Sequence, residues 1–191
     1  MTSRFLTELR RRVLVLDGAM GTATHAFDLD VETDFCGCEN CPEVLLDTRP
    51  ELIQGVHESF LKVGADAVET NSFGGAKHVL AENGLAERSF ELNKRAAEIA
   101  RAAADQFSTD DKPRFVLGSI GPGTKLITLD QIKWEAMLDS YAEQARGLIA
   151  GGADAFLIET CQDILQVKAV INACLRALKE ADKTPDEIPI M

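Results

Sequence analysis

The chain has 191 residues, of which 46% are hydrophobic and 27% charged, the composition of one globular domain able to bury a core. Its 31 Asp and Glu residues outnumber 20 Lys and Arg residues, and the net charge of -11 disfavours nucleic acids and anionic membranes as partners. No apolar run approaches the roughly 20 residues of a membrane span, and residues 1–12 lack the apolar segment of a secretory signal. The sequence therefore predicts a cytoplasmic protein that binds a small molecule.

Short apolar runs rich in β-branched residues alternate with helical patterns along the chain. The runs show little polar alternation, which is typical of strands covered on both faces of a parallel sheet. The predicted strands are residues 13–16, 67–71, 115–120, 155–160 and the start of one at 188–191. The predicted helices are one that ends at Gly64 and those over residues 87–107, 129–150 and 164–181. This order predicts an α/β protein with a parallel sheet.

Two of the helices have a possible capping box, in which a Thr side chain caps the helix and a Glu or Gln three residues later reaches back. Thr48 with Glu51 marks the start of the helix that ends at a glycine. Thr128 with Gln131 marks the start of the helix over residues 129–150. Both helices are therefore expected to begin directly after these threonines.

Four βα units and the start of a fifth strand leave two architectures open. A doubly wound sheet could close within this length, whereas a (β/α)8 barrel takes about 250 residues and cannot close with five strands. The last residues, 188–191, stop inside a predicted strand without a cap or a polar tail. We therefore expect residues 1–191 to be an incomplete domain, with no second domain beside it.

Polar residues and glycines cluster where the predicted strands end. In parallel α/β folds this is the face that binds ligands. Glycines let backbone N–H groups approach a carboxylate, and an acid such as Glu159 can pair with an ammonium group. The pattern therefore suits a zwitterionic amino acid, although each segment alone could equally make a tight turn and cap the next helix. The segments are residues 17–22, 69–75, 118–123 and 159–163.

These same segments resemble the successive signatures of the homocysteine S-methyltransferases, in matching order and spacing over almost the whole chain. The signature stretches are Leu16–Thr22, Glu69–Gly74, Gly118–Pro122 and Ile158–Thr160. Residues 121–125, 143–149 and 162–163 most resemble the homocysteine-binding domain of the cobalamin-dependent methionine synthases. The resemblance implies a (β/α)8 barrel, of which this chain supplies the N-terminal part: about four βα units and the start of strand five.

The resemblance also implies a function and a set of binding residues. Homocysteine would bind at the C-terminal face of the barrel, zinc would coordinate its sulfur, and the methyl group would come from methylcobalamin and methyltetrahydrofolate on other domains, giving methionine. Glu159 would receive the substrate ammonium, while Asp17 and the loop containing Gly18, Gly21 and Thr22 would orient the amino-acid end. Further pocket residues would be Asn71 and the Gly118–Gly123 turn.

The cysteines depart from the family pattern. The family's zinc ligands are one cysteine and a later Cys-Cys pair, and this chain has no such pair. We therefore expect the zinc ligands to lie beyond this chain, which would contain no catalytic residue and be inactive alone. Cys36, Cys38 and Cys41 could together bind zinc, but a fourth ligand is lacking, so surface thiols are the preferred interpretation.

Three other functions remain open from the sequence. The chain could belong to a homocysteine S-methyltransferase with a different methyl donor, or it could be an amino-acid-binding fragment without chemistry of its own. An aldolase-type barrel would need a Schiff-base lysine, and Lys125, near the ligand-binding face, is better interpreted as a solvated loop residue. His57, Asp66 and Asp154 are interpreted as structural, the two aspartates at the opposite end of the sheet.

Overall fold

The computed structural model describes residues 3–191, whose centre is a parallel sheet of three strands in the order β1-β2-β3. The strands are β1 (Ala67–Glu69), β2 (Phe115–Ile120) and β3 (Ala155–Ile158). The helices are α1 (Arg4–Arg11), α2 (Met20–Thr24), α3 (Leu45–Thr48), α4 (Pro50–Val63), α5 (Lys77–Leu80), α6 (Ser89–Phe107), α7 (Trp134–Ala150) and α8 (Ile164–Glu180). Because α6 and α7 form the crossovers between neighbouring strands, the predicted parallel α/β arrangement is confirmed.

The sheet is continued on each side by a short extended segment. Leu16 forms a parallel bridge to Ala67 of β1, and Ile190 forms one to Phe156 of β3. The first and fifth predicted strands are thus present as single bridges and are shorter than predicted. An edge segment has a hydrogen-bonding partner on one side only, so less of its backbone is held in register.

Helix α4 ends where the sequence predicts but begins differently. Its C-terminal cap, Gly64, has a φ of 116°, a left-handed conformation that glycine adopts without strain. The predicted capping box is wrong, because the Thr48 hydroxyl donates instead to the carbonyl of Asp34 at 2.6 Å. Arg49 occupies the N-cap position and its side chain does not cap the helix.

Helix α7 begins at Trp134, later than predicted. The second predicted capping box is also wrong, because the Thr128 hydroxyl donates to the Asp163 carboxylate at 3.0 Å. Asp163 in turn caps α8, since its carboxylate accepts the backbone N–H of Leu165 at 2.8 Å. Thr128 therefore ties the loop before α7 to the start of α8, a long-range contact that local sequence spacing does not reveal.

Two aspartates fix the N-terminal ends of strands. The Asp66 carboxylate accepts the backbone N–H of Val15 at 2.9 Å, and the Asp154 carboxylate accepts that of Val116 at 2.8 Å. Each aspartate therefore ties its own strand to the strand before it. Their predicted position, at the end of the sheet away from the ligand-binding face, is confirmed.

The largest apolar cluster lies between the sheet, α7 and α8. Its fully buried members include Met137, Tyr141, Leu148, Phe156 and Leu178. Cys174 belongs to this cluster and is fully buried, as its place on the apolar face of α8 predicts. Within residues 3–191, no helix has both the length and the apolar character needed to cross a membrane.

Candidate functional site

A cleft of about 380 Å³ opens at the C-terminal ends of the strands. Loops after the first extended segment, β1 and β3 contribute to it, together with one residue of β2. It brings together five of the residues predicted to bind the ligand: Asp17, Gly18, Gly21, Asn71 and Glu159. Ser119, which belongs to the predicted Gly118–Gly123 turn, also lines the cleft, as do Glu69 and Thr70, to which the sequence analysis assigned no binding role.

Two predicted site residues do not line this cleft. Gly118 faces the helical side of the sheet, where a β-carbon built on it would lie 2.9 Å from Leu148 of α7. Its lack of a side chain therefore allows α7 to pack closely on β2. Gly121, in the same predicted turn, lies against Phe73, and Thr22 is exposed on the short helix α2. The structure thus gives Gly118 a packing role, and a role for it in binding stays a prediction.

Asp17 has an enclosed side chain, which is 3% exposed. Its carboxylate accepts the backbone N–H of Glu69 at 3.1 and 3.2 Å, so it continues the hydrogen bonding of the first segment to β1. Burial, together with the negative charges of Glu69 and Glu159, raises the pKa of Asp17 to about 7. Asp17 is therefore poised to change charge near neutral pH.

His57 of α4 lies behind Asp17, with Nδ1 at 4.0 Å from a carboxylate oxygen. It is fully buried, and burial lowers its pKa to about 4, so it is neutral near pH 7. Neither ring nitrogen has a hydrogen-bond partner within the part of the chain that the structure describes. The sequence predicts a structural histidine here and gives no sign of its approach to Asp17.

Glu69 lies at the end of β1 and faces the cleft. Burial and, to a smaller extent, the neighbouring Glu159 carboxylate together raise its pKa to about 7. A sequence signal for it existed, because a Glu-Thr pair occurs at the end of each of two predicted strands: Glu69-Thr70 in the first and Glu159-Thr160 in the second. Among the described residues that line the cleft, none is Lys or Arg. Three carboxyl groups in a cleft that no described Lys or Arg lines suit a cationic group such as an ammonium.

Asn71 joins the wall of the cleft to the segment before α3. Its side-chain nitrogen donates to the carbonyl of Pro42 at 2.9 Å, and both residues line the cleft. The next residue, Glu43, is buried, and its carboxylate accepts the backbone N–H of Gly74 at 2.6 Å. These two bonds hold Pro42 and Glu43 against the loop that follows β1, and Pro42 lines the cleft.

The family model of the homocysteine S-methyltransferases matches residues 14–191, which is nearly the whole chain. The chain belongs to the homocysteine S-methyltransferase family. The matched range includes the segments that form the cleft and that hold Asp17, Asn71 and Glu159.

Relatives of this homocysteine S-methyltransferase chain include two curated methionine synthases. It is 46% identical to that of Mycobacterium tuberculosis (strain ATCC 25618 / H37Rv) and 44% identical to that of Mycobacterium leprae (strain TN), each over 178 residues. In both comparisons the alignment covers 93% of this chain and 15% of the relative. The chain therefore spans a small part of the length of these methionine synthases.

Solved structures of the Escherichia coli homocysteine methyltransferase MmuM have a similar fold. The metallated form superposes with a TM-score of 0.72 at 25% identity, over 90% of this chain and 62% of that one. The apo form gives 0.68 at 26% identity, over 90% of this chain and 58% of that one. The similarity of fold thus extends over most of the described residues.

The three clustered cysteines of this homocysteine S-methyltransferase chain differ in their surroundings. Cys36 is exposed, Cys38 is half-buried and Cys41 is buried. The Cys41 thiol donates to the Glu43 carboxylate at 3.5 Å, and burial raises its pKa to about 12. Within residues 3–191, no three or more His, Cys, Asp or Glu side chains form a group that could hold a metal ion. All five cysteines are free thiols.

Replacing Glu69 with glutamine is expected to change how stability depends on pH. Between the ordinary pKa of 4.5 and the raised value of about 7, the folded protein keeps a proton that the unfolded chain has released. Unfolding then releases a proton, so the free energy of unfolding falls as pH rises through this window. Glu69→Gln removes this loss, and its melting temperature should exceed that of the wild type by a few degrees at about pH 8 and approach it at about pH 4.

Thermal unfolding followed by circular dichroism, without ligand, checks this expectation. His57 titrates in both proteins, so its contribution cancels in the difference between the two melting temperatures. The loss of the Glu69 charge also lowers the pKa of Asp17 in the variant, which increases the difference at high pH in the same direction. The control is Glu135→Gln, which changes an exposed glutamate in the first turn of α7. A difference between Glu69→Gln and wild type that does not vary with pH would contradict the raised pKa of Glu69.

Proposed function

We propose that the cleft binds the amino-acid end of homocysteine. Glu159 receives the ammonium group, Asp17 and the Gly18–Thr22 loop orient the rest of this end, and Asn71 forms part of the wall. The observation that carries the proposal is the convergence of three carboxyl groups, without a basic lining residue, in one cleft of a homocysteine S-methyltransferase. The glycines of the loop have no side chain to separate their backbone N–H groups from a ligand carboxylate.

For the reaction, we propose methyl transfer from methylcobalamin, recharged by methyltetrahydrofolate on other domains of a longer protein, to give methionine. The 46% identity to a methionine synthase, against 25% to the E. coli homocysteine methyltransferase, favours this donor over others. Zinc, when bound, would favour the thiolate form of the substrate sulfur. The described residues 3–191 contain no group suited to hold it, so we assign the zinc ligands to residues outside this chain. The role proposed for this chain is therefore substrate binding.

We also propose that residues 1–191 form part of one (β/α)8 barrel domain and supply its first four βα units and the start of strand five. The strand order β1-β2-β3, with bridged segments at both edges, and the TM-score of 0.72 support this assignment. We propose a cytoplasmic location because five free thiols are typical of a reducing compartment. The cobalamin and folate domains of the longer protein would then be the partners of this one.

The test of the proposed function is calorimetric titration of the chain with L-homocysteine and two analogues. One analogue lacks the amino group and the other lacks the carboxylate. We expect homocysteine to bind and each analogue to bind at least about tenfold more weakly, because each loses charge-assisted hydrogen bonds. Equal binding of all three ligands, or no binding of homocysteine, would overturn the proposal.

The methyl donor and zinc need a separate experiment in the longer protein. We expect methionine to form from homocysteine and methylcobalamin, and homocysteine to bind more tightly when zinc is present. Methionine formation with another methyl donor only would favour a homocysteine methyltransferase of the kind solved from E. coli. Homocysteine affinity that does not depend on zinc would contradict the assignment of zinc to the substrate sulfur.

A further inference from the structure

The Glu159 carboxylate is held by a residue of the neighbouring strand. The hydroxyl of Ser119 in β2 donates to Glu159 Oε1 at 2.5 Å, the short distance typical of a hydroxyl bonded to a carboxylate. Ser119 is 2% exposed, so water has little access to compete for this bond. Glu159 itself follows β3 and is half-buried, with its carboxylate facing the cleft.

The backbone of Ser119 is fixed on both sides by hydroxyl groups from the loop after β1. Its N–H donates to the Thr70 hydroxyl oxygen at 3.0 Å, and its carbonyl accepts the Ser72 hydroxyl at 2.8 Å. The two hydroxyls lie 2.6 Å apart, so the four groups form a closed ring. From α7, the buried Gln144 side chain donates to the Ser72 carbonyl at 2.7 Å and fixes the loop from the helical side.

The single hydrogen of each hydroxyl determines which group it donates to. A hydroxyl has one hydrogen, and that of Ser72 is used on the Ser119 carbonyl. The bond between Thr70 and Ser72 therefore takes the hydrogen of Thr70, whose oxygen is left to accept the N–H of Ser119. The ring is complete without the Ser119 hydroxyl. This hydroxyl is thus available to Glu159 alone, on a backbone that the ring holds in place.

We propose that Ser119 is a positioning residue that holds the Glu159 carboxylate where the substrate ammonium is received. The proposal rests on the proposed function, since it presumes that Glu159 binds this ammonium. It adds to that function that the pair formed by Ser119 and Glu159 makes the cleft bind an amino acid more tightly than the analogue without the amino group. Without the Ser119 hydroxyl, the Glu159 side chain would regain rotational freedom and lose part of its affinity for the ammonium.

The test compares Ser119→Ala with the wild-type chain, using homocysteine and the analogue without the amino group. We expect the dissociation constant for homocysteine to rise about tenfold, as for the loss of one hydrogen bond to a charged group, while that for the desamino analogue stays unchanged. In a Glu159→Gln background the same substitution should add little, because the group that Ser119 positions is no longer charged.

Two further variants separate positioning from general damage. Ser140→Ala also removes a buried hydroxyl from a hydrogen bond, with His78, but it lies outside the cleft and should leave both affinities unchanged. Ser119→Cys keeps nearly the same shape with a weak donor and should give an intermediate loss of homocysteine affinity, which serves if the alanine variant does not fold.

Each outcome bears on one of the two proposals. If Ser119→Ala weakens homocysteine and the desamino analogue equally, or leaves the ratio of their affinities as in the wild type, the positioning role is overturned and the proposed function stands. The cysteine variant is judged by the same ratio. If the wild-type chain itself does not prefer homocysteine to the desamino analogue, the proposed function is overturned and the positioning role falls with it.

Discussion

Replacing Glu159 with glutamine is expected to weaken homocysteine binding by about 30- to 1000-fold, which corresponds to about 2–4 kcal/mol. Glutamine keeps the shape of the side chain but removes the negative charge that pairs with the ammonium. The loss should be confined to ligands with an amino group, so the affinity for the desamino analogue should hardly change. Calorimetric titration of wild type and variant with both ligands measures this difference.

The matched control for this prediction is Glu98→Gln. Glu98 is exposed on α6, outside the cleft, and its ion pair with Lys94 at 3.5 Å is of the surface kind that contributes little to stability. The control should bind homocysteine as the wild type does. If Glu159→Gln bound homocysteine with unchanged affinity, the ammonium would have to be received elsewhere in the cleft, and Glu69 would be the next candidate.

Replacing Phe156 with alanine is expected to lower the free energy of unfolding by about 3–5 kcal/mol. Phe156 is fully buried in β3, where it pairs in register with Gly118 of β2 and forms the bridge to Ile190. Removing its ring leaves a cavity between the sheet and the helices α7 and α8, which can relax only in part. Urea unfolding followed by circular dichroism measures the loss, which is a large share of the stability of an ordinary domain.

Val63→Ala provides the comparison for this stability prediction. Val63 is 84% exposed at the end of α4, so its truncation should change the free energy of unfolding by less than about 0.5 kcal/mol. A loss below about 1 kcal/mol for Phe156→Ala would mean that the neighbouring side chains collapse into the space. That result would contradict a tightly packed core at the centre of the sheet.

Much of the fold can be predicted because the strands of a parallel sheet have a recognisable sequence pattern. Strands covered on both faces are continuous apolar runs, so β2 and β3 are recognisable without knowledge of their neighbours. Gly64 marks the end of α4 because few other residues adopt its conformation. The starts of α4 and α7 are harder to predict, since Thr48 and Thr128 donate to groups far along the chain instead of capping their own helices.

The candidate site was predictable in part, for a reason that lies in the geometry of strands. Asp17, Asn71 and Glu159 follow strand ends, where any side chain lies near the C-terminal face. Gly118 and Ser119 are consecutive within β2, so their side chains point to opposite faces of the sheet and only one of them can face the cleft. The sequence shows that a glycine is present in β2, but only the structure shows which face of the sheet this position occupies.

At the edge of the sheet, the backbone N–H of Glu69 donates to the ionisable side chain of Asp17 instead of to a peptide carbonyl. A carboxylate is a stronger acceptor than a neutral carboxyl, so the strength of that hydrogen bond varies with protonation. A cationic ligand that favours the ionised form of Asp17 would strengthen the hydrogen bond that joins the first extended segment to β1. An uncharged ligand would leave this bond unchanged. Binding of a cation in the cleft and the strength of the hydrogen bond beside it thus both depend on whether Asp17 is protonated.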